Sequence, residues 1–184
     1  MTVKEIVLNA CLLLSREEEK DYLLNGKNES DEIVKNIDKF VKLTSLVINE
    51  LAHTYIPLIH SEEVVGTGKI FYRNLQKTPL KIVNVLNERG EKFEFAEHNE
   101  FFTAPKGKIT VEYECLPSEF NVDSQIEYSE KDVPARVITY GLVSEILLTE
   151  CNFSEAVMWH KRYVSALEEI VLPKNKSIKK RSWL

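Results

Sequence analysis

The four histidines His53, His60, His98 and His160 are the first residues that could do acid–base or metal chemistry. A zinc site requires three or four converging ligands, and two of them are often spaced to share one helix face. The histidines are widely separated, and no Cys, Asp or Glu cluster accompanies them at ligand spacing. We therefore expect no metal site and no catalytic histidine.

The segment VVGTGKIF, residues 64–71, combines two glycines with a lysine and so invites comparison with phosphate-binding loops. A P-loop has the pattern GxxxxGK[ST] between a strand and a helix, whereas here the glycines are two residues apart and β-forming residues follow. We therefore predict a hairpin turn at this segment.

The acidic groups Glu62–Glu63 and Glu17–Glu19 are interpreted as solvated faces, because paired catalytic carboxylates need surroundings that shift one pKa. The protein is not expected to be an enzyme.

The last twelve residues, PKNKSIKKRSWL, are basic and end in an apolar pair. They hold five of the 24 Lys and Arg residues and none of the 29 acidic residues, so the remainder of the chain carries a net charge of −10. An acidic body argues against a general nucleic-acid binder, which needs a basic face. The residues predicted to bind a partner are Lys174, Lys176, Lys179, Lys180, Arg181, Trp183 and Leu184. A passive solubilising terminus and a salt-dependent contact with DNA phosphates remain open as alternatives.

The composition predicts a packed core in one domain, or in one domain with an inserted subdomain. The chain has 184 residues, of which 43% are hydrophobic. No segment approaches the run of about eighteen apolar residues that spans a membrane. The N-terminal apolar run lacks the basic region and cleavage site of a signal peptide and is interpreted as an amphipathic helix. Cys11, Cys115 and Cys151 lie in apolar patterns and are expected to be buried free thiols.

Helical periodicity dominates the N-terminal third of the sequence. It predicts helices over about residues 3–14, 15–24 and 31–53. Thr2 and Ser15 are each followed three residues later by glutamate, which predicts a capping box at the first two helix starts. Ser30 is predicted to cap the third helix.

Two further helices are predicted near the C-terminus, over about residues 134–150 and 154–170. Pro134 stands at the first turn, where proline is favoured. The first of the two helices is apolar over most of its circumference and is expected to be the central buried helix. Ser154 is predicted to cap the second, with Phe153 and Met158 at hydrophobic-staple spacing. The residues of that helix predicted to face inward are Val157, Tyr163, Val164, Leu167 and Ile170.

Between these helical parts, short runs rich in branched and aromatic residues predict β-strands. The runs are residues 69–75, 80–87, 92–97 and 108–116. Ile109, Val111, Tyr113 and Cys115 alternate with polar residues, which predicts one buried face. NERGE (87–91) and APKGK (104–108) are predicted turns. The short connections predict an antiparallel meander or a small sandwich.

Together these elements predict an α+β fold: a helical bundle built from N-terminal helices and a C-terminal helical hairpin, with an inserted antiparallel β subdomain. The predicted parts are a helical body of residues 1–56 and 130–172, a β subdomain of 57–118, a connection of 119–129 and a basic tail of 173–184.

The order of elements resembles that of phage head–tail connectors, the adaptors that sit below the portal, including the tail tubular protein A type. Three passages carry the resemblance, which covers most of the chain. They are NELAHTYIPLIHSEEV (49–64), GKIFYRNLQKTPLKIVNVLN (68–87) and ARVITYGLVSEILLTECNFSEAVMWHKRYVSALEEI (135–170).

The resemblance implies a non-enzymatic virion protein that needs no cofactor and lies at the head–tail junction after assembly in the host cytoplasm. It implies a homo-oligomeric ring of twelve subunits that docks under the portal protein and receives tail proteins. DNA would pass through the channel without sequence-specific binding, no membrane would be involved, and the C-terminal tail would reach into the portal. Three alternatives stay open: another virion assembly protein such as a head-completion protein, a small intracellular ligand- or peptide-binding module, and an uncharacterised enzyme whose pocket gathers His53, His60 or His98 with acids.

Overall fold

The computed structural model describes residues 1–27 and 29–171. In this part of the chain it contains five α-helices and one three-stranded antiparallel sheet, which confirms the predicted α+β class. The chain divides into two compact units. Among the described residues, the helical unit comprises residues 1–47 and 120–171, and the sheet unit comprises residues 48–119.

The N-terminal helices form where the periodicity predicts them, but only two of their three predicted caps are present. The helices are α1 (Val3–Leu13), α2 (Glu17–Asn25) and α3 (Asp31–Glu50). Thr2 and Glu5 form the predicted capping box, and Ser30 Oγ accepts a hydrogen bond from the Ile33 N–H at 3.2 Å. The prediction for Ser15 is wrong: its φ is 55°, and α2 starts after Arg16 without a side-chain cap. The chain reverses direction between α1 and α2, so Ser15 takes up a left-handed conformation instead of a cap.

The C-terminal helices are α4 (Ala135–Thr149) and α5 (Phe153–Val171). As predicted, α4 is buried along most of its length, and Pro134 stands immediately before it. The caps of α5 are not as predicted, because the helix already includes Phe153 and Ser154 and its first main-chain acceptor is Asn152. Phe153 and Met158 are both exposed, so no hydrophobic staple forms. Val157 is also exposed, because it lies about 100° around the helix from the buried Ala156.

Four of the helices are linked by packing contacts. α4 contacts both α1 and α5, and α2 packs against α1. Gly141 in the middle of α4 is buried between the side chains of Val47 and Tyr163. A β-carbon placed there would lie 2.7 Å from Val47 Cγ1 and 3.2 Å from Tyr163 Cε2. The missing side chain of Gly141 therefore sets the close packing of the helical unit.

We expect Gly141→Ala to destabilise the helical unit by about 1–3 kcal/mol through overpacking. Alanine is otherwise favoured over glycine in a helix by roughly 1 kcal/mol, so a glycine-to-alanine change normally raises stability. Here the steric collision should make the same change destabilising. Chemical denaturation followed by circular dichroism measures the change. Because Val47 supplies the closest atom, Val47→Ala combined with Gly141→Ala should cost less than the sum of the two single changes. An equal or higher stability for Gly141→Ala alone would contradict the predicted collision.

The sheet consists of β1 (Leu58–Phe71), β2 (Pro79–Asn87) and β3 (Phe101–Cys115) in the order β1-β3-β2. Both neighbours of β3 are antiparallel to it, as predicted. The predicted meander order is wrong, since the last strand occupies the centre. The alternating residues of β3, which are Ile109, Val111, Tyr113 and Cys115, are all buried as predicted. The strand with the strongest alternation is thus the one hydrogen-bonded on both sides.

Two of the three predicted turns and hairpins are instead parts of long strands. VVGTGKIF lies within β1 and APKGK within β3, and Gly66 pairs with Gly107 across them. The register shifts between Thr67 and Lys69, where glycines with positive φ accommodate a bulge instead of a chain reversal. The NERGE turn is confirmed, with a hydrogen bond from the Gly90 N–H to the Asn87 carbonyl at 2.9 Å. The run 92–97 is not a strand and makes only isolated bridges at its two ends.

Candidate functional site

All seven tail residues predicted to bind a partner, Lys174 to Leu184, lie outside the described residues. In the part that the structure describes, no three His, Cys, Asp or Glu side chains are grouped as metal ligands would be. No helix there is long and apolar enough to cross a membrane. Candidate sites in the described residues are therefore one buried polar cluster and three exposed surfaces.

The buried polar cluster joins Glu62 of β1 to Tyr113 of β3. The Tyr113 hydroxyl donates a hydrogen bond of 2.5 Å to Glu62 Oε1, which also accepts the Gln76 N–H at 2.9 Å. The Lys77 N–H donates to the Tyr113 hydroxyl at 3.1 Å. The cluster thus holds the connection between β1 and β2 against the face of the sheet. Glu62 is 8% exposed, so its interpretation as part of a solvated acidic face is wrong.

His60 lies directly opposite Tyr113 in the strand pairing, with the ring centroids 5.5 Å apart. Its Nε2 atom is buried and has no hydrogen-bond partner in the described part of the chain. Side chains alternate between the two faces of a strand, so the sequence already places His60 and Glu62 on the same face of β1. The sequence does not show which strand pairs with β1, and this pairing decides that the shared face is covered.

Burial, followed by the hydrogen bond to Glu62, raises the pKa of Tyr113 to about 12. Burial also raises the pKa of the Cys11 thiol to about 12. Both groups are neutral when protonated, so the folded state holds these protons more tightly than the unfolded chain does. Their contribution to stability is complete below the ordinary pKa values of 9.0 for Cys and 10.0 for Tyr. It is lost as the pH rises from there towards 12.

We therefore expect the unfolding free energy to fall progressively between pH 9 and about 12, on account of Cys11 first and Tyr113 next. Denaturation curves at fixed ionic strength across this interval measure the slope. Tyr113→Phe removes one of the two titrations and should flatten the upper half of the interval. A profile that is flat throughout, or unchanged in Tyr113→Phe, would refute the assignment.

The three cysteines differ in environment. Cys11 and Cys115 are buried free thiols, as predicted. Cys151 is exposed with a φ of 61°, so the prediction for it is wrong. It lies in the tight turn between α4 and α5, where the left-handed backbone carries its side chain away from the core.

A basic–aromatic face is formed by Arg136 and Tyr140 of α4 together with Trp159 and Arg162 of α5. The Arg162 guanidinium lies 4.5 Å from the centre of the Trp159 ring, and the Tyr140 and Trp159 rings are 5.5 Å apart. Arg136 makes an exposed ion pair of 3.3 Å with Glu169. A groove of about 460 Å³ beside these rings is lined by Arg136, Tyr140, Lys161, Arg162 and Glu169. Arginine and aromatic side chains are enriched at protein interfaces.

Two exposed apolar surfaces lie on helices of the helical unit. The first, which we call the α1–α2 groove, is a cleft of about 550 Å³ containing Leu8, Leu12 and Leu24. The second, which we call the α5 stripe, consists of Phe153, Val157, Val164 and Val171. Val164 is half-buried and the other three are exposed. Sequence reasoning missed both surfaces: it predicted that Val157 and Val164 face inward and considered no exposed apolar surface on the helices.

No protein-family model matches this chain, and no curated protein matches it significantly.

Proposed function

We propose that the protein is a non-enzymatic structural protein of a phage or prophage virion, a head–tail adaptor that docks under the portal ring. The observation that carries the proposal is the order of elements. Helices α1 to α3 are followed by a long-stranded antiparallel sheet and then by the helical pair α4 and α5. This is the order in which the chain resembles the head–tail connectors.

The surfaces support a role in assembly. Apolar surfaces of this kind, bordered by polar residues, mark protein–protein contacts in soluble proteins. The basic–aromatic face supplies a third surface, suited to an acidic partner. In a ring, such a subunit extends the portal channel and presents a docking surface to tail proteins. The net negative charge of the body lets DNA pass without strong phosphate binding.

The basic tail is the proposed portal-binding element. Lysine and arginine charges steer the segment towards an acidic portal surface, and Trp183 with Leu184 anchors it in an apolar pocket. Pro173 separates this segment from the preceding helical sequence, since proline does not continue a helix.

A second candidate function, a small peptide-binding module, is favoured by the α1–α2 groove. A cleft lined by leucines is the kind of surface that receives the apolar face of an amphipathic helix. In that case the protein would bind a helical peptide as a monomer, with no requirement for a portal.

The deciding experiment mixes the purified chain with the portal protein encoded nearby in the same genome. Binding is followed by sedimentation and electron microscopy for the full chain and for a chain that ends at Leu172. We expect ring-shaped binding by the full chain and its loss on truncation. Binding that survives truncation would retain the adaptor role and reject the tail as the anchor. Failure of both chains to bind would reject the adaptor role.

Two matched tail variants separate the contribution of the tail charges to portal binding from the contribution of the apolar anchor. Replacing the five tail cations with glutamine should slow association and remove its dependence on salt. Trp183→Ala should instead speed dissociation, because the loss of an interface anchor acts mainly on that rate. If the two variants behave alike, the proposed division of roles in the tail is wrong.

A further inference from the structure

The groove of about 460 Å³ beside the basic–aromatic face, which we call the α4–α5 groove, is positively charged. Three cations line it, Arg136 of α4 and both Lys161 and Arg162 of α5, and all three are exposed. Of the described residues that line the groove, Glu169 alone carries a carboxylate. The groove therefore has the opposite charge from the protein as a whole, whose net charge is −5.

The cations of the groove are available to a ligand. In the part of the chain that the structure describes, Lys161 and Arg162 form no ion pair. Arg136 pairs with Glu169 at 3.3 Å, but the two side chains are 61% and 67% exposed, and such exposed pairs are weak. A guanidinium has five N–H donors, so Arg136 can bind a second carboxylate while it remains paired with Glu169.

Arg162 is already placed for binding an anion. Its guanidinium lies 4.5 Å from the centre of the Trp159 ring, and the Tyr140 ring lies 5.5 Å from the Trp159 ring. A guanidinium that rests on an aromatic face keeps its rigid fork of N–H donors, which matches the two oxygens of a carboxylate. Because the side chain is held before the ligand arrives, less side-chain freedom is lost on binding.

The same contacts argue against nucleic acid as the ligand. Single-stranded nucleic acid binds to aromatic rings on which its bases can stack. The Trp159 ring is half-buried and is already in contact with Arg162 and Tyr140. The exposed Glu155 and Glu168 of the same helix would also repel a phosphate backbone. A ligand with a few separated carboxylates suits the groove better.

The positive charges lie at two places along α5. Arg136 pairs with Glu169, whereas Arg162 lies seven residues before Glu169, or roughly 10 Å along the helix axis. The groove between these two places is lined by the buried Ala166 and the half-buried Tyr140. In an extended peptide, alternate side chains point to the same side and successive residues advance about 3.3 Å. Acidic residues four positions apart, with an apolar residue midway, therefore match this order of charge, apolar surface and charge.

We propose that the α4–α5 groove binds an acidic segment of a partner protein, in which two carboxylates flank an apolar side chain at alternate positions. One carboxylate binds Arg162 and Lys161, the other binds Arg136, and the apolar side chain packs on Ala166 and Tyr140. The inference goes beyond the adaptor role, which uses the C-terminal tail. A tail protein as the owner of the acidic segment rests on the proposed function, but binding of the segment does not.

The test titrates the full chain with the peptide GSDALADSG, capped at both ends, and follows the indole N–H signals by nuclear magnetic resonance. The chain has two tryptophans, Trp159 and Trp183, and Trp159→Phe assigns the two signals. We expect the Trp159 signal to shift with a dissociation constant of about 1 mM or lower. The control peptide GSNALANSG, which has the same shape without charge, should shift neither signal. A shift of the Trp183 signal alone, or no shift at about 10 mM peptide, would overturn the proposal.

Four variants of the chain locate the binding site. Arg162→Gln should weaken peptide binding about tenfold or more, since a hydrogen bond between charged groups is lost. Arg89→Gln makes the same change of charge at an exposed position of the sheet unit and should bind as the wild type does. Glu169→Gln frees Arg136 and should strengthen binding roughly twofold to fivefold, whereas Glu94→Gln should not. Equal effects within either pair would show that net charge alone governs binding and would reject the groove. The backbone amide spectrum of each variant checks that the fold is retained.

A third ligand separates a protein segment from nucleic acid. A thymidine trinucleotide without terminal phosphates carries two negative charges, as the capped peptide does. Weaker binding of the trinucleotide would support a protein segment as the ligand, and tighter binding would overturn it. Peptide binding without portal binding would leave this inference standing and reject the adaptor role, and portal binding without peptide binding would do the reverse.

Discussion

Replacing Tyr113 with alanine is expected to destabilise the sheet unit by about 3–5 kcal/mol, the usual range for removal of a fully buried aromatic side chain. Tyr113 is completely buried near the C-terminal end of β3. The substitution leaves a cavity and removes the hydroxyl that bonds to Glu62. It also deprives the Lys77 N–H of the hydroxyl as acceptor. The unfolding free energy from urea denaturation measures the loss.

Two milder substitutions separate the cavity from the hydrogen bonds. Tyr113→Phe fills the space but leaves the buried Glu62 carboxylate without its hydroxyl donor, which should cost about 1–3 kcal/mol. Glu62→Gln keeps an acceptor oxygen for both donors and should cost less than Tyr113→Phe. If Tyr113→Phe were neutral, the cluster would not be holding the connection between β1 and β2. If it cost as much as Tyr113→Ala, the packing contribution would be negligible.

The sequence predicted the helices and their buried faces well because helical periodicity is a local signal. The apolar face of α3, which includes Ile33, Ile37, Phe40 and Val41, recurs at helical spacing in the sequence and is buried. Burial of α4 also follows from composition alone, since an all-round apolar helix must be covered on every side. The errors concern single positions at helix starts. At Ser15 and Ser154 the path of the chain, and not the identity of the residue, decides the conformation.

The sheet was less predictable because its pairing is not local. A proline and a glycine in APKGK favour a turn by residue type, yet the pairing of β1 with β3 continues through this segment with a bulge. The burial of Glu62 has the same origin, since only the opposite strand supplies the Tyr113 hydroxyl. The two apolar surfaces escaped prediction for a different reason. Periodicity identifies an apolar face but does not say whether the covering partner belongs to the same chain.

We expect Gly66→Ala to disrupt the outer part of the sheet, with a loss at or above the upper end of the roughly 1–3 kcal/mol typical of overpacking. Gly66 is buried in β1, and a β-carbon there would lie 2.0 Å from the Pro105 carbonyl oxygen and 3.2 Å from the Pro105 carbonyl carbon. The colliding atoms belong to the backbone of the paired strand. The strands must therefore separate locally for alanine to fit.

Gly66 and Gly141 are both closely packed, but Gly66 faces backbone atoms and Gly141 faces side-chain atoms. A second substitution at the neighbouring residue distinguishes the two cases. Val47→Ala removes the side-chain atom nearest Gly141, so it should recover part of the loss at that site. Pro105→Ala leaves the carbonyl oxygen in place, so it should recover none of the loss at Gly66. Hydrogen exchange shows which part of the Gly66→Ala variant is destabilised. The amides of residues 65–71 and 101–108 should lose protection, while those of α4 keep it. Recovery of Gly66→Ala by Pro105→Ala, or uniform loss of protection in both units, would show that the backbone contact is not the cause. The expected outcome is that the bulge tolerates glycine alone at position 66, which is why a glycine-rich segment can lie inside a strand.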